Sequence, residues 1–154
     1  MSAHRDSFAR DHLPPASQWP AMDFGVLPSL NYPDAFNCAV ELVDRNVERG
    51  NGSRPAIRSP REAWTYTQLL EQTNRLANVL VKDLGLVPGN RVLLRGPNTP
   101  MMAAAWLAVL KAGGICVTTM PLLRARALTY TIEKPEIALA LRDGSLEVEI
   151  AHRA

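Results

Sequence analysis

Apolar residues first fall at helical spacing at Phe36, Ala39, Val40, Val43 and Val47, the interval that lines up side chains on one helix face. Pro33 suits a first helical turn, where its missing N–H is not needed, and Gly50 closes the segment before the turn Asn51-Gly52-Ser53. A short β pair comes next, Pro55 to Arg58 and Ala63 to Tyr66, joined by a turn through Ser59 to Glu62. Thr67 then reads as the N-cap of a long helix with Glu71 in its early turns. Its stripe of Leu69, Leu70, Thr73, Leu76, Ala77, Leu80, Val81 and Leu84 runs up to Gly85. The side predicted to be buried is Leu70/Leu76/Leu80/Leu84. Residues 1–34 show no sustained period and predict an extended N-terminal arm, anchored by side chains such as Trp19 and Phe24.

Beyond Val87-Pro88-Gly89-Asn90 the pattern changes. Arg91 to Arg95 reads as a strand, and Gly96-Pro97-Asn98-Thr99-Pro100 leads into a helix from about Met101 to Ala112. That helix is apolar all round, which predicts burial between layers, Met101, Met102 and Trp106 included. Gly113-Gly114 ends it, and Ile115 to Thr119 is a β-branched strand. A helix over roughly Leu122 to Glu133 stops at Pro135, Ile137 to Leu141 forms a last strand, and Asp143-Gly144 turns the chain. Strand–helix–strand–helix–strand is the order of a parallel sheet with right-handed crossovers. The predicted fold is therefore α/β: a partial parallel sheet flanked by helices, preceded by an arm and a small hairpin. All three strands, cut from a larger sheet, are expected to offer open edges.

Composition narrows the class. With 154 residues, 47% of them hydrophobic, the chain can bury a core. A net charge of +2 gives no argument for nucleic acid or a membrane surface. Lys82, Lys111 and Lys134 are the only lysines, against many arginines. Cys38 and Cys116 sit alone in apolar runs, without disulfide or zinc spacing, and read as buried free thiols in a reducing compartment. Met1 to Trp19 has no apolar core of a signal peptide, and the run Met101 to Leu110 is too short to span a bilayer, so the cytoplasm is the expected location.

Several segments then show a familiar arrangement. Ala63-Trp64-Thr65-Tyr66-Thr67-Gln68-Leu69 resembles the x-T-Y-x-E-L segment of acyl-CoA synthetases, and Asn74-Arg75-Leu76-Ala77-Asn78-Val79-Leu80 their N-R-x-A-x-x-L helix. Gly85-Leu86-Val87-Pro88-Gly89-Asn90-Arg91-Val92 is similar to G-V-x-x-G-D-R-V, with Asn90 in place of the usual acid. Pro97-Asn98 and Ala108-Val109-Leu110-Lys111-Ala112-Gly113-Gly114 are similar to N-x-x-x followed by A-x-L-K-A-G-A. Thr119-Met120-Pro121-Leu122-Leu123-Arg124 and Ile137 to Asp143 resemble the benzoate/2-aminobenzoate–CoA ligase branch. The likeness covers about residues 30–154 of the adenylate-forming acyl-CoA synthetase superfamily. It implies an arm over 1–34 and a truncated AMP-dependent synthetase/ligase N-terminal domain over 35–154, broken off inside a helix from Leu146 to Ala154.

In full-length relatives the implied reaction joins an aryl carboxylic acid to ATP, giving an acyl-adenylate and pyrophosphate, after which the CoA thiol displaces AMP. Those relatives take the acid, ATP, magnesium and CoA as substrates and cofactors. Their Ser/Thr/Gly-rich Pro-Lys-Gly loop, magnesium ligands, acyl pocket and C-terminal lid lie beyond position 154, so the resemblance assigns this chain no catalytic, cofactor-binding or metal-binding residue. The expectation is an inactive ligase fragment that binds no cofactor and self-associates or needs a partner chain. The alternatives are a non-catalytic α/β interaction module completed by another subunit, or a flavodoxin-like nucleotide enzyme whose phosphate loop is missing.

The residues themselves agree. Acid activation needs phosphates held by backbone N–H groups and a cation, yet in Lys111-Ala112-Gly113-Gly114 the lysine precedes the glycines, as a helix stop does. Gly96 to Pro100 comes after a strand and precedes a helix, where open α/β sheets bind ligands. Its prolines remove amide donors, however, and Asn98 as a cap or turn residue fits better. His4 and His12 in the arm and His152 at the other end form neither a triad nor a metal set. Arg124 and Arg126 suit a solvated helix face better than a substrate anion.

Overall fold

The computed structural model describes residues 3–21, 25, 27, 32–33 and 35–149. In chain order these hold α1 (Phe8–Asp11), β1 (Pro55–Arg58), β2 (Ala63–Thr65), α2 (Tyr66–Asn78), β3 (Arg91–Arg95), α3 (Pro100–Lys111), β4 (Ile115–Thr119), α4 (Ala125–Glu133) and β5 (Leu139–Arg142). A wide helix over 38–51, largely π-helical, precedes the hairpin. The predicted α/β architecture is the one observed.

The arm is anchored differently from the expectation. Trp19 is exposed, its indole N–H donating to the nearby Pro14 carbonyl at 2.7 Å, and Phe24 lies outside the described residues. Asp6 and Phe8 do the anchoring: Arg5 and Asp6 N–H groups both donate to the Pro88 carbonyl, and the Asp6 carboxylate meets Arg91. No local period announces such a contact, because its partner is more than half the chain away.

Asn37, not Pro33, starts the wide helix. Its Oδ1 accepts from the amides of Ala39 and Val40, while its Nδ2 donates to the last carbonyls of α3, Leu110 at 3.1 Å and Lys111 at 3.3 Å. One side chain thus satisfies groups at two helix ends. Lys111 Nζ reaches Asp44 Oδ1 at 2.5 Å and ties the same two helices together. Ala39 and Val43 face the core, whereas Phe36 is exposed.

β1 and β2 form the predicted hairpin, with Ile57 opposite Trp64. β2 runs straight into α2, and Thr65, still extended, is the N-cap in place of Thr67. Its hydroxyl accepts from Gln68 N–H while the Gln68 side chain accepts from Thr65 N–H. This capping box needs its amide or acid three positions on, which Gln68 satisfies and Glu71 does not.

The buried side of α2 also departs from the sequence reading. Leu69, Thr73 and Leu80 are buried, Leu70 and Leu76 half-buried, and Leu84 is 46% exposed. The cause is a π turn over Val79–Asp83 in which Leu84 N–H reaches back five residues to Val79 C=O. The added residue rotates the end of the helix, Leu84 included, off the stripe. Gly85 at φ +66 then reverses the chain, so that Leu86 N–H bonds Leu80 C=O and both side chains join the core.

The sheet has the order β4-β3-β5, parallel throughout, with Leu93 beside Val117 and Ala140. β3 is central and paired on both sides, so the expected open edge at Arg91–Arg95 does not exist; among the described strands of this sheet, β4 and β5 are the edges. Val92 and Leu94 pack toward α2 and α3 together with Leu80, Ala105, Ala108 and Val109. The alternating residues Arg91, Leu93 and Arg95 face the α4 side. Both arginines are buried and grip the two ends of the α4 crossover. Arg91 donates to the Pro135 and Glu136 carbonyls, and Arg95 to the Pro121 and Leu123 carbonyls.

α3 is less enclosed than its composition predicts. Ala104, Ala105, Leu107, Ala108 and Val109 are buried against α2 and the sheet, but Met101 is exposed and Trp106 is 38% exposed. Two packed layers cover two sides of this helix and leave a flank open. Leu146 to Ala154 is not the expected α-helix where it is described: Gly144–Glu149 is 3-10, kinked at Leu146.

The open edges of β4 and β5 and the exposed Met120, Leu122 and Trp106 lead to one expected result. On size exclusion with light scattering, the chain runs as dimers or larger species whose proportion rises with concentration. A sharp monomer peak independent of loading, with cooperative melting, contradicts this.

Candidate functional site

Open α/β sheets bind ligands beyond the carboxyl ends of their strands, where the strand order reverses. Here β3 leads through α3 to β4 on one side and the chain then crosses to β5 on the other, so the reversal lies between β3 and β5. An open cleft of about 560 Å³ occupies that position, walled by Thr99, Met101 and Met102 of the α3 end and by Leu141, Arg142 and Asp143 at the end of β5. It is the candidate site on geometry alone.

Its donor set is poor for phosphate. Thr99, not Asn98, caps α3: its hydroxyl accepts from Met102 N–H at 3.1 Å and its carbonyl from Ala103 N–H at 3.1 Å. Pro100 brings no N–H, so little of the helix N-terminus is left to face an anion. Gly96 serves packing: a Cβ there stands 2.5 Å from Met102 Cε and 3.3 Å from Asp143 Cβ. The Asp143 carboxyl is held below its usual range, first by the Ser145 hydroxyl and then by the Ser145 amide, so it is an anion fixed in its own turn. Leu141 and Met102 supply an apolar wall. The arrangement can position a neighbouring group; it holds no nucleophile–base pair.

A second cleft, about 720 Å³, lies along the open flank of α3, between Trp106, Ala103 and Pro100, the hairpin residues Ile57 to Ser59, and Thr118 of β4. A third, about 830 Å³, brings together His4, Cys38 and Cys116 beside Trp106. The cysteines are free but half-buried, less covered than expected. Burial, with the neighbouring Cys38 a lesser cause, pushes the Cys116 thiol up to about 12, so it is an unreactive thiol that donates to the Trp106 carbonyl.

The remaining candidates are dispersed. His12 stacks on Phe8 at 4.0 Å, His4 lies in the third cleft, and His152 is outside the described residues. Among the described residues no group of three His, Cys, Asp or Glu could hold a metal, and no helix is long and apolar enough to cross a membrane. Lys111 is an ion-pair partner of Asp44, and Arg124 and Arg126 are exposed at the start of α4. Sequence reasoning missed Asp6, Arg91 and Arg95. The two arginines had one signal, a strand of three apolar residues bracketed by them, Arg91-Val92-Leu93-Leu94-Arg95, and Asp6 had none.

Comparison with known proteins bears directly on this scaffold. The model of the AMP-binding enzyme family matches residues 43–153. Acetyl-coenzyme A synthetase of Mycolicibacterium smegmatis is 37% identical over 112 residues, 69% of this chain and 12% of that protein. A benzoate CoA ligase structure from Burkholderia xenovorans superposes with a TM-score of 0.69 at 27% identity, covering 75% of this chain and 23% of that one. An anthranilate CoA ligase structure in complex with anthranoyl-AMP shares the fold, at TM-score 0.69 and 22% identity over 80% of this chain and 22% of that one. The chain thus spans only a small part, 12–15%, of the first curated relatives' lengths.

Proposed function

The chain belongs to the AMP-binding enzyme family, and from that premise we propose that it is the N-terminal scaffold of an acid–CoA ligase acting on an aryl carboxylic acid. On this reading residues 1–34 are an arm and 35–154 the first part of the adenylating domain, working in the cytoplasm. The superposition on benzoate CoA ligase carries the choice of acid. The Thr119-Met120-Pro121-Leu122-Leu123-Arg124 segment supports it from the sequence. ATP, magnesium and CoA belong to the reaction of the complete ligase: the acid's carboxylate displaces pyrophosphate from ATP, and the CoA thiol then displaces AMP.

The part these residues take is mechanical. The parallel sheet sets the floor, α3 and β5 present the cleft at the strand reversal, and Gly96 lets the β3 and β5 ends approach closely. Triphosphate chemistry needs several amide donors and a cation on the transferring group, and the cleft between Thr99 and Asp143 supplies too few amides. This cleft therefore does not fit ATP alone, and no catalytic step is assigned to its residues.

The test is ATP–pyrophosphate exchange with benzoate, 2-aminobenzoate and acetate. The expected result for the 154-residue chain is no exchange above a protein-free control. Acid-dependent exchange overturns the scaffold reading.

A further inference from the structure

The arm does not simply lie on the sheet; it fills a fitted groove. Pro88 C=O accepts the N–H groups of both Arg5, at 2.9 Å, and Asp6, at 3.0 Å. Gly89, at φ +96, has no side chain to obstruct this: a Cβ there stands 2.1 Å from the Asp6 carbonyl oxygen. The Asp6 carboxylate is then fully engaged. Oδ1 accepts Phe8 N–H at 3.0 Å, and Oδ2 accepts both Asn90 Nδ2, at 2.8 Å, and the Arg91 guanidinium. The Phe8 ring covers that guanidinium, with its carbon 4.5 Å from the ring centroid.

Two details make the groove selective. Asn90 Oδ1 accepts Val87 N–H at 2.9 Å, which fixes the amide orientation and aims its N–H donors at Asp6. Arg91 is a buried cation that also donates to the carbonyls of Pro135, Glu136 and Gly89. The incoming segment must therefore bring one carboxylate to two donors, followed two residues later by an apolar ring. We propose that Pro88–Arg91 is a recognition site for a short Asp-x-Phe segment, that Asp6-Ser7-Phe8 is its resident ligand, and that Asn90 sets its preference for a carboxylate. Because Arg91 also holds the turn before β5, occupancy of the groove tightens that turn.

Hydrogen exchange of the full chain tests this, tracking the arm (3–13) and the turn before β5 (134–138). Asn90→Asp keeps the Val87 contact but sets a second carboxylate against Asp6, and arm exchange is expected to rise about tenfold or more. Asp6→Asn releases the arm likewise. The turn moves with the arm in both variants. An arm unchanged in N90D, or a turn that keeps wild-type exchange while the arm is released, overturns the proposal. Should N90D fail to fold, D6N decides alone, since it alters only the arm: a wild-type exchange rate there overturns the proposal equally.

Discussion

Arg95→Met lowers the stability of the chain by about 3 kcal/mol, read as a fall in urea midpoint at unchanged slope and fixed protein concentration. Arg95 is 1% exposed, and its guanidinium donates to Pro121 C=O at 2.8 Å and Leu123 C=O at 3.0 Å. Methionine keeps much of the stem's packing and removes every donor, so the loss reports the polar contacts rather than a cavity. Hydrogen bonds to a charged group contribute about 1.5–3 kcal/mol each, partly offset because a buried cation no longer has to be desolvated. Arg126→Met, on the exposed start of α4, stays within about 0.5 kcal/mol. Equal midpoints for the two variants would mean that the grip on the α4 crossover contributes nothing.

Leu80→Ala costs about 2–5 kcal/mol, whereas Leu84→Ala costs about 0.5 kcal/mol or less. The sequence places both leucines on one stripe; the structure buries Leu80 to 1% and leaves Leu84 46% exposed. Leu80 packs among Leu86, Val92, Leu94 and Val109, a neighbourhood of β3, α3 and the Gly85 turn that cannot collapse onto a missing side chain. Comparable losses at both positions would show that the π turn over Val79–Asp83 is not present in solution.

Elements that depend on short-range pattern were legible in the sequence. The hairpin, β3, β4, the helix ending at Gly113 and the parallel order all come from periodicity and turn residues. Boundaries slipped where two signals competed, as at Thr65 against Thr67 and at Thr99 against Asn98, and hydrogen-bond reach decided each. The misjudged exposures have other causes. A π turn changes the helical period itself, so Leu84 was counted on the wrong face. An all-apolar helix reads as enclosed, but enclosure of Trp106 depends on what stands opposite and not on α3. Asp6, Arg91 and Arg95 were passed over for a third reason: charged side chains read as solvated until a distant backbone or carboxylate is known to meet them. The candidate cleft is similar in kind, since the strand reversal that creates it appears only once β5 is seen to pair on the far side of β3.

That pairing order has a consequence for biosynthesis. The central strand is translated before both of its neighbours, so it leaves the ribosome with its two edges open. β4 can close one after a single helical crossover; β5 closes the other only after the α4 crossover has also emerged. In the interval Val92, Leu93 and Leu94 form a short apolar strand with nothing on one side, the state in which nascent chains meet each other or a chaperone. The arginines at its two ends put a charge at each boundary of that strand throughout the wait, and they become buried only when the α4 crossover arrives to receive them.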